Sequence, residues 1–133
     1  MQEPAAPRPI ILVVDDEQDI LATISGYLET ALPWVTVRCA VSGEEGLETL
    51  ASSGADLILC DYRMPGMDGL QFMVAAARVA PKARRVLMTA YPDSHLAVRA
   101  VNEARIERFL TKPFEPDLLR GIVEEMLPSP GGR

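Results

Sequence analysis

The chain has 133 residues, of which 48% are hydrophobic, and this is enough to bury the core of one ordinary domain. Its formal net charge of −6 argues against a general nucleic-acid-binding surface, which would be basic, and its single histidine, His95, excludes a histidine-rich metal site. No unbroken apolar run is long enough to span a bilayer, and the first residues lack the charged-then-apolar pattern of a signal peptide, so we expect a cytoplasmic protein without membrane contact.

Strand-like and helix-like apolar patterns alternate along the first part of the chain. The run "PIILVVDDE" is short, apolar and rich in β-branched residues, which predicts a first strand that is buried on both faces. Helical spacing of the apolar residues predicts a first helix over residues 16–31, and "WVTVRCA" predicts a second strand. Ser42 followed by Glu45 is a capping-box pattern, which predicts a second helix that ends near Gly54.

The same alternation continues through the middle of the chain. The run "ADLILC" predicts a third strand, and Asp68 with Gln71 forms another capping-box pattern, ahead of a third helix that ends before Pro81. The run "RRVLMTA" predicts a fourth strand. Asp93 or Ser94 can cap the helix that follows.

The last third of the chain predicts one more strand between two helices. Ala97, Val98 and Val101 are expected to form the apolar face of the fourth helix. The run "RFLTKPF" predicts a fifth strand, with Pro113 at or beyond its end, and Pro116 suits the first turn of a fifth helix. The apolar residues expected on that helix are Leu118, Leu119, Ile122, Val123 and Met126.

Five strands that alternate with five helices predict an α/β fold, with a parallel sheet covered on both faces. We expect one folded domain over residues 9–127, a flexible N-terminal tail over residues 1–8, and a C-terminal tail or the start of a linker over residues 128–133. Cys39 and Cys60 lie inside apolar segments, so we expect buried, reduced thiols rather than a disulfide.

Reactive side chains stand where four of the predicted strands end. In chain order they are Asp15, Asp16, Asp61, Thr89 and Lys112. Because ligands of doubly wound sheets bind beyond the carboxyl ends of the strands, we expect these side chains to converge at one edge. Each has a simpler alternative by itself: a helix cap or solvated loop for the aspartates, a satisfied hydroxyl for the threonine and a surface position for the lysine. Independent caps have no reason to select the same sheet edge, which favours a joint site.

The chemistry of such a joint site is restrictive. Three carboxylates held close together repel one another, which raises their pKa values unless a cation intervenes. Oxygen ligands without a nearby histidine or cysteine favour Mg²⁺ over Zn²⁺. A carboxylate beside Mg²⁺ can act as a nucleophile toward phosphorus, while an amine and a hydroxyl contact the phosphoryl oxygens. The residues therefore predict a transient aspartyl phosphate.

Four blocks of the sequence resemble the signature of a known family. The blocks "VVDDE", "LILCDYRMPGMDG", "VLMTA" and "FLTKPF" are similar to those of the receiver domain of two-component system response regulators. The likeness runs from about Ile10 to Leu127, in the family's order and spacing. It implies a flavodoxin-like (βα)5 doubly wound parallel sheet with strand order 2-1-3-4-5.

The resemblance implies a role for each residue around the third strand. Asp61 matches the phosphoacceptor, which receives phosphate from a sensor histidine kinase or a phosphotransfer protein. Asp15 and Asp16 match the acidic pair that binds Mg²⁺, and Arg63 occupies the position that supplies a backbone carbonyl to the metal. The family is not a conventional enzyme, since its members promote only their own phosphotransfer and autodephosphorylation.

The resemblance also implies a conformational switch. Thr89 matches the switch hydroxyl, and Lys112 matches the lysine that contacts the phosphate. Phe109 stands at the aromatic switch position, where it turns into the space that the hydroxyl vacates, although a plain core aromatic is the alternative. The Lys112–Pro113 bond is similar to the family's cis peptide.

Two large residues flank this expected site. Arg63 stands two residues after the acceptor, and Tyr91 stands two residues after Thr89. We hypothesise that they restrict the water that attacks the acyl phosphate and so lengthen its lifetime. The alternative is two solvated residues on the rim.

The family's usual output surface consists of the fourth helix, the fifth strand and the fifth helix. Here it would draw on Ala97, Val101, Ala104 and Arg108 together with the last helix, and it suits a homodimer or a fused or separate output domain. Ordinary core packing of a helix explains most of these residues as well. The run "RFLTKPF", followed by an acidic last helix, resembles receivers joined to ATPase-type transcription activators or cyclic-dinucleotide phosphodiesterases. We expect no direct nucleic-acid binding by this domain.

Two other classes of protein share parts of the pattern. A phosphatase of the haloacid dehalogenase type also forms an aspartyl phosphate, but its nucleophile lies on the first strand in a D-x-D pattern, whereas Asp15 and Asp16 are adjacent here. Flavodoxin has the same fold class, but no Ser/Thr-Gly phosphate loop follows the first strand of this chain.

Overall fold

A computed structural model describes residues 7–91 and 93–127 of the chain. The predicted tails at residues 1–8 and 128–133 lie almost wholly outside these residues and stay predictions. Five strands and five helices alternate along the described chain, as the sequence predicts. The strands are β1 Ile10–Val14, β2 Thr36–Ala40, β3 Leu57–Asp61, β4 Arg84–Thr89 and β5 Arg108–Thr111, and the helices are α1 Gln18–Ala31, α2 Gly43–Ser53, α3 Gly69–Val79, α4 Ser94–Ala104 and α5 Pro116–Met126.

All five strands are parallel and form one sheet in the order β2-β1-β3-β4-β5, which confirms the predicted topology. The chain starts at the centre of the sheet and adds β2 on one side, then crosses over to add β3, β4 and β5 on the other. The register pairs Val14 with Cys60 and Asp61 with Met88, so the last residues of β1, β3 and β4 lie side by side. The carboxyl ends of these strands therefore form one edge.

The core lies in two layers, one on each face of the sheet. Alternate residues of a strand point to opposite faces, and β1 sends Ile11 and Val13 to one layer and Leu12 and Val14 to the other. The first layer is closed by α1 and α5, and the second by α2, α3 and α4. Since fully burying each such side chain stabilises the fold by roughly 1.5–3 kcal/mol, β1 and β3 form a rigid support for whatever follows them.

The helix starts follow the capping signals of the sequence. The Ser42 hydroxyl accepts a hydrogen bond from the backbone N–H of Glu45, 3.1 Å away, and begins α2. Asp68 and Gln71 form a reciprocal capping box at the start of α3. Of the two residues expected to cap α4, it is Asp93 whose carboxylate accepts the N–H bond, from Leu96 at 2.8 Å.

Two sequence predictions about burial are wrong at the helices. Val98 and Val101 were expected to face the core, but they are 58% and 52% exposed, and Leu118 of α5 is 51% exposed. The buried residues of α4 are instead Leu96, Ala100 and Ala104, one ridge at i, i+4 spacing. Because alanine side chains are small, they let the helix lie close to the sheet, and the face that carries them is buried instead of the face with the more apolar valines.

Two smaller expectations are corrected as well. Cys60 is buried, but Cys39 is exposed, because β2 is an edge strand and the outward side of an edge strand is only partly covered. The first helix begins at Gln18 rather than at residue 16, since Glu17 is its N-cap. Among the described residues, no helix is long and apolar enough to cross a membrane.

Candidate functional site

The predicted site residues meet at the carboxyl edge of the sheet. Asp15 follows β1 directly, Asp61 ends β3, Thr89 ends β4, and Lys112 follows β5. Together with Asp16, most of them line a cavity of about 360 Å³ that opens to solvent at this edge. The strand order brings β1 and β3 side by side although 46 residues separate Asp15 from Asp61 in sequence.

Three carboxylates form the acidic part of the site. Asp15, Asp16 and Asp61 each offer an oxygen that lies within 4.8 Å of the others. Asp15 and Asp61 are buried, whereas Asp16 is exposed. The backbone N–H of Glu17 donates to Asp15 Oδ1 at 2.9 Å, which fixes the direction of that carboxylate. Oxygen is the only donor element in the cluster, so it suits a hard cation rather than zinc.

Lys112 links the two buried carboxylates. Its Nζ lies 3.2 Å from Asp15 Oδ2 and 3.1 Å from Asp61 Oδ1. Burial acts to lower the pKa of Lys112, but the hydrogen bond and charge of Asp61 and the charge of Asp15 outweigh it, so the lysine pKa is raised. Lys112 is therefore positively charged at neutral pH.

One ammonium group is not enough to neutralise this cluster. Burial raises the pKa of Asp61; Lys112 opposes the rise, and the negative charges of Asp15 and Asp16 add to it. The net effect is a raised pKa, which means that the surroundings destabilise the ionised form of Asp61 relative to its protonated form. A divalent cation among the three carboxylates would offset this destabilisation, so the residues present fit such an ion.

Thr89 and Phe109 lie on adjacent strands next to this edge. The buried Thr89 hydroxyl accepts a hydrogen bond from the backbone N–H of Tyr91 at 3.1 Å. Phe109 is only half-buried and packs against the second core layer. A cavity of about 350 Å³ separates its ring from the start of α4, lined with Asp93, Ser94, Leu96 and Ala97. The aromatic ring therefore has free space beside it.

Arg63, which lines the cavity at the carboxyl edge, contacts the side chain of Tyr91. The Arg63 guanidinium lies 5.8 Å from the centre of the Tyr91 ring, which is a cation–π distance. Both side chains are exposed, Tyr91 by 71%. The contact joins the loop after β3 to the loop after β4, the two strands that end on Asp61 and Thr89.

Two contributors to the site were not foreseen from the sequence. One is the Glu17 amide that orients Asp15. The other is Gly69, whose N–H donates to the Tyr62 carbonyl at 2.8 Å and brings α3 against the end of β3. A Cβ at Gly69 would collide with the Asp61 carbonyl oxygen, so no other residue permits this approach without movement. Its sequence signal was the Asp-Gly pair at the start of α3, which identifies a turn but not its neighbour.

A comparison with protein families identifies the family to which the chain belongs. The family model described as response regulator receiver domain matches residues 11–124. The chain belongs to this family. It is the receiver domain of a two-component response regulator, a signalling module rather than a conventional enzyme, and the match decides against the phosphatase and flavodoxin alternatives.

Curated relatives of this receiver domain are larger regulators. The chain is 37% identical over 122 residues to the DNA-binding transcriptional regulator NtrC of Escherichia coli strain K12, covering 90% of this chain and 25% of that protein. It is 32% identical over 121 residues to the hydrogenase transcriptional regulatory protein HoxA of Cupriavidus necator, covering 91% of this chain and 24% of that protein. The receiver domain thus spans about a quarter of the length of these relatives.

Solved structures agree with this assignment. The signal receiver domain of an HD domain-containing protein from Pseudomonas fluorescens Pf-5 superposes with a TM-score of 0.84 at 33% identity, over 90% of this chain and 94% of that one. Within the receiver family, an aspartate triad such as Asp15, Asp16 and Asp61 is typical of a metal site. The Lys112–Pro113 peptide is cis, as the resemblance implied.

Proposed function

We propose that Asp61 of this receiver domain accepts a phosphoryl group from a phosphohistidine of a sensor histidine kinase or a phosphotransfer protein. An Asp61 carboxylate oxygen attacks phosphorus, the P–N bond breaks as the new P–O bond forms, and the departing imidazole nitrogen takes up a proton. The observation that carries this proposal is the bridge from Lys112 Nζ to Asp61 Oδ1, at 3.1 Å, inside an acidic cavity that opens to solvent. The ammonium can follow the charge onto the phosphoryl oxygens.

A magnesium ion is the second part of the proposal. Asp15, Asp16 and Asp61 would hold Mg²⁺ together with the backbone carbonyl of Arg63. When bound, the ion supplies positive charge that offsets the carboxylates and the oxygens of the donor phosphate. Support comes from the all-oxygen cluster and from the raised pKa of Asp61, which one lysine does not bring down.

Thr89 and Phe109 form the proposed switch. The Thr89 hydroxyl accepts the Tyr91 N–H bond, which leaves its own proton for donation to a phosphoryl oxygen on Asp61. A Thr89 that turns toward Asp61 makes room beside β4, and Phe109 can then turn inward from its half-exposed position along the cavity at α4. Phosphorylation adds about −1.5 to −2 of charge, enough to bias such a two-state element.

The contact between Arg63 and Tyr91 supports the proposed role of the rim. Arg63 lines the cavity that contains Asp61, so a cation–π pair that holds its side chain in place would narrow the path of a water molecule toward Asp61. Exposed pairs of this kind contribute about 0.5–1 kcal/mol. Replacing both residues with alanine should therefore shorten the lifetime of the aspartyl phosphate several-fold, measured as phosphate release after removal of the donor. An unchanged half-life would mean that the two are ordinary solvated residues.

The output of the receiver is proposed to be an output domain, fused or separate, or a second copy of the chain. Both curated relatives are named as transcriptional regulators, which supports a regulatory output in the cytoplasm, reached through protein contact rather than direct nucleic-acid binding by this acidic domain. The surface of α4, β5 and α5 is the proposed contact, because it exposes Val98, Val101 and Leu118.

The decisive experiment is phosphorylation with acetyl phosphate and Mg²⁺, followed by intact-protein mass spectrometry. The wild type should gain one phosphoryl group that is lost again at alkaline pH, as an acyl phosphate is. Asp61→Asn should gain none, while Asp117→Asn, at an exposed aspartate of α5, should label like the wild type. A wild type that takes up no phosphate, or that instead turns over generic phosphate esters, would contradict the proposal.

A further inference from the structure

Two adjacent arginines at the start of β4 have no part in the site described above. Arg84 and Arg85 open the strand at the end of the sheet opposite to Asp61. Arg85 is buried, and arginines are almost never buried without partners. The contacts of both side chains lead to the ends of two helices.

Arg85 holds the C-terminal end of α4. Its Nε donates to the Ala104 carbonyl at 3.1 Å, and its Nη1 donates to the Ala83 carbonyl at 2.8 Å. Ala104 is the last residue of α4, and the last turn of that helix contains no basic residue of its own. Besides Arg105, the C-cap residue, Arg85 therefore adds a buried cation at the negative end of the helix dipole.

Arg84 makes the matching contact to α5. Its Nη1 donates to the Met126 carbonyl at 3.3 Å, and the last turn of α5 also contains no basic residue. Successive side chains of a strand point to opposite faces of the sheet, and α4 and α5 cover opposite faces. One dipeptide thus anchors two helix ends on the two sides of the molecule.

Glu107 joins these two anchors. Its Oε2 lies 2.7 Å from Arg84 Nε, its Oε1 accepts the Arg85 N–H at 3.3 Å, and its own N–H donates to the Arg85 carbonyl at 2.9 Å. Glu107 belongs to the short connection from α4 to β5, two residues after Arg105, which ends α4 with φ of 54°. Glu107 is thus connected along the chain to the end of α4 and by its carboxylate to Arg84, the side chain that holds α5.

We propose that Arg84, Arg85 and Glu107 form an arginine node that couples the C-terminal end of α4 to the C-terminal end of α5. A displacement of α4 is passed through Glu107 to Arg84 and loosens or shifts the last turn of α5, just before Leu127. The three residues form a contiguous network of hydrogen-bonded groups, and such networks can carry energetic coupling between distant sites. The part of the inference in which Asp61 sets α4 in motion rests on the proposed function; the coupling of the two helix ends does not.

The coupling is tested first without any phosphodonor, by hydrogen exchange of the native chain. Glu107→Gln should raise the exchange rates of residues 102–106 and of residues 124–127 together, by about five- to tenfold. Arg84→Lys keeps the charge but loses the fork that reaches two acceptors, so it should loosen residues 124–127 and, through the released Glu107, the end of α4 as well. If Arg84→Lys loosens only residues 124–127, or if Glu107→Gln loosens only one of the two helix ends, the node does not exist.

A matched control is available on α5 itself. Arg120 forms an exposed pair with Glu124 at 3.6 Å, one turn further along the same helix. Arg120→Met should leave the exchange of residues 102–106 unchanged. An equal effect of Arg120→Met at the end of α4 would show that any loss of charge on α5 gives this result and would overturn the node.

The second test adds Mg²⁺ and beryllofluoride, a mimic of the phosphoryl group. In the wild type, exchange should change at the loop after Thr89, at the end of α4 and at the end of α5. In Arg84→Lys the first two changes should persist and the third should fall below half its size. A full α5 response in the variant overturns the node, whereas no response near Thr89 in the wild type overturns the proposed function and leaves the first test to decide the node.

Discussion

Asp61 is the residue at which the stability of the fold and the proposed function oppose each other. It ends a strand whose other four residues are buried and apolar, and burial raises its pKa against the pull of Lys112. A carboxylate in this position is poorly solvated, which favours attack on phosphorus but disfavours the folded state. Sites of this kind commonly trade stability for activity.

Asp61→Asn should therefore stabilise the domain at neutral pH while abolishing phosphorylation. Removing the stressed charge, with Asp15 still 3.2 Å from Lys112, should add about 1 kcal/mol to the free energy of unfolding, or about 3–5 °C in melting temperature. Thermal melting followed by circular dichroism measures the shift. A variant that melts below the wild type at pH 7 would mean that Lys112 already compensates Asp61 fully.

The contribution of Asp61 to the stability of the fold should depend on pH in a definite direction. Because the folded-state pKa of Asp61 is raised, the folded chain binds this proton more tightly than the unfolded chain does. Stability from this group is thus present at low pH and is lost as the pH rises from the ordinary aspartate pKa through the raised one. The advantage of Asp61→Asn should accordingly shrink toward zero in acid, and a constant difference across pH would assign it to packing.

Gly69 is the second residue with a large expected effect on substitution, because there is no space for a Cβ atom at this position. Gly69→Ala places a Cβ against the Asp61 carbonyl oxygen and 2.8 Å from Tyr62 Cα, so the loop after β3 must move. We expect a loss of about 2 kcal/mol in urea unfolding and a slower rate of labelling by acetyl phosphate. Gly26→Ala is the matched control, because nothing lies within 4 Å of its added Cβ and a helical glycine gains about 0.5–1 kcal/mol by this change. Equal labelling rates in the two variants would remove Gly69 from the site.

At the scale of the helices, α2 and α4 both end on a residue with positive φ, but only one of these two residues is a glycine. Arg105 ends α4 with φ of 54°, which costs energy for a side chain, and Gly54 ends α2 with φ of 70° and ψ of −173°, a conformation almost restricted to glycine. Arg105→Gly should stabilise the fold by about 0.5 kcal/mol, and Gly54→Ala should destabilise it by at least about 1 kcal/mol. Urea midpoints of the two variants measure both, and a destabilising Arg105→Gly would show that the arginine side chain contributes more than its backbone costs.

The helices also show where sequence patterns lose information. Caps are local, so Ser42 and Asp68 predicted their helix starts correctly. The buried face of α4 is set by how closely the helix can approach the sheet, and the alanines at 100 and 104 permit that approach better than Val98 or Val101 would. A hydrophobicity count favours the valines, because it contains no information about the distance between layers.

At the scale of the whole molecule, the site could be predicted because parallel strands share one carboxyl edge. The predicted ends of the strands are enough to place Asp15, Asp61 and Lys112 at this edge. The contact between Arg63 and Tyr91 and the arginine node could not be foreseen, since each joins loops or helix ends whose directions depend on packing. The prediction that Cys39 is buried was wrong for a related reason. Whether a strand lies at the edge depends on the order of strands in the whole sheet, not on the sequence of that strand.

The exposed valines of α4 lead to a prediction about assembly. Val101→Asp should keep the stability of the wild type within about 0.5 kcal/mol, because the side chain is already 52% exposed. If the surface of α4, β5 and α5 carries the output, the wild type treated with beryllofluoride should form a dimer in size-exclusion chromatography, and the variant should stay monomeric. A variant that still dimerises would move the contact to another face.

The bridge from Lys112 to the two aspartates spans most of the chain. Lys112 lies 97 residues from Asp15 and 51 residues from Asp61 in sequence, so each of the two ion pairs closes a long loop of the chain. Contacts of such high order form late in folding, since chain entropy opposes them until the intervening elements are in place. A chain emerging from the ribosome therefore has Asp15 and Asp61 but not Lys112 until all of β5 has been made. The proposed competence to accept phosphate thus requires the completed sheet.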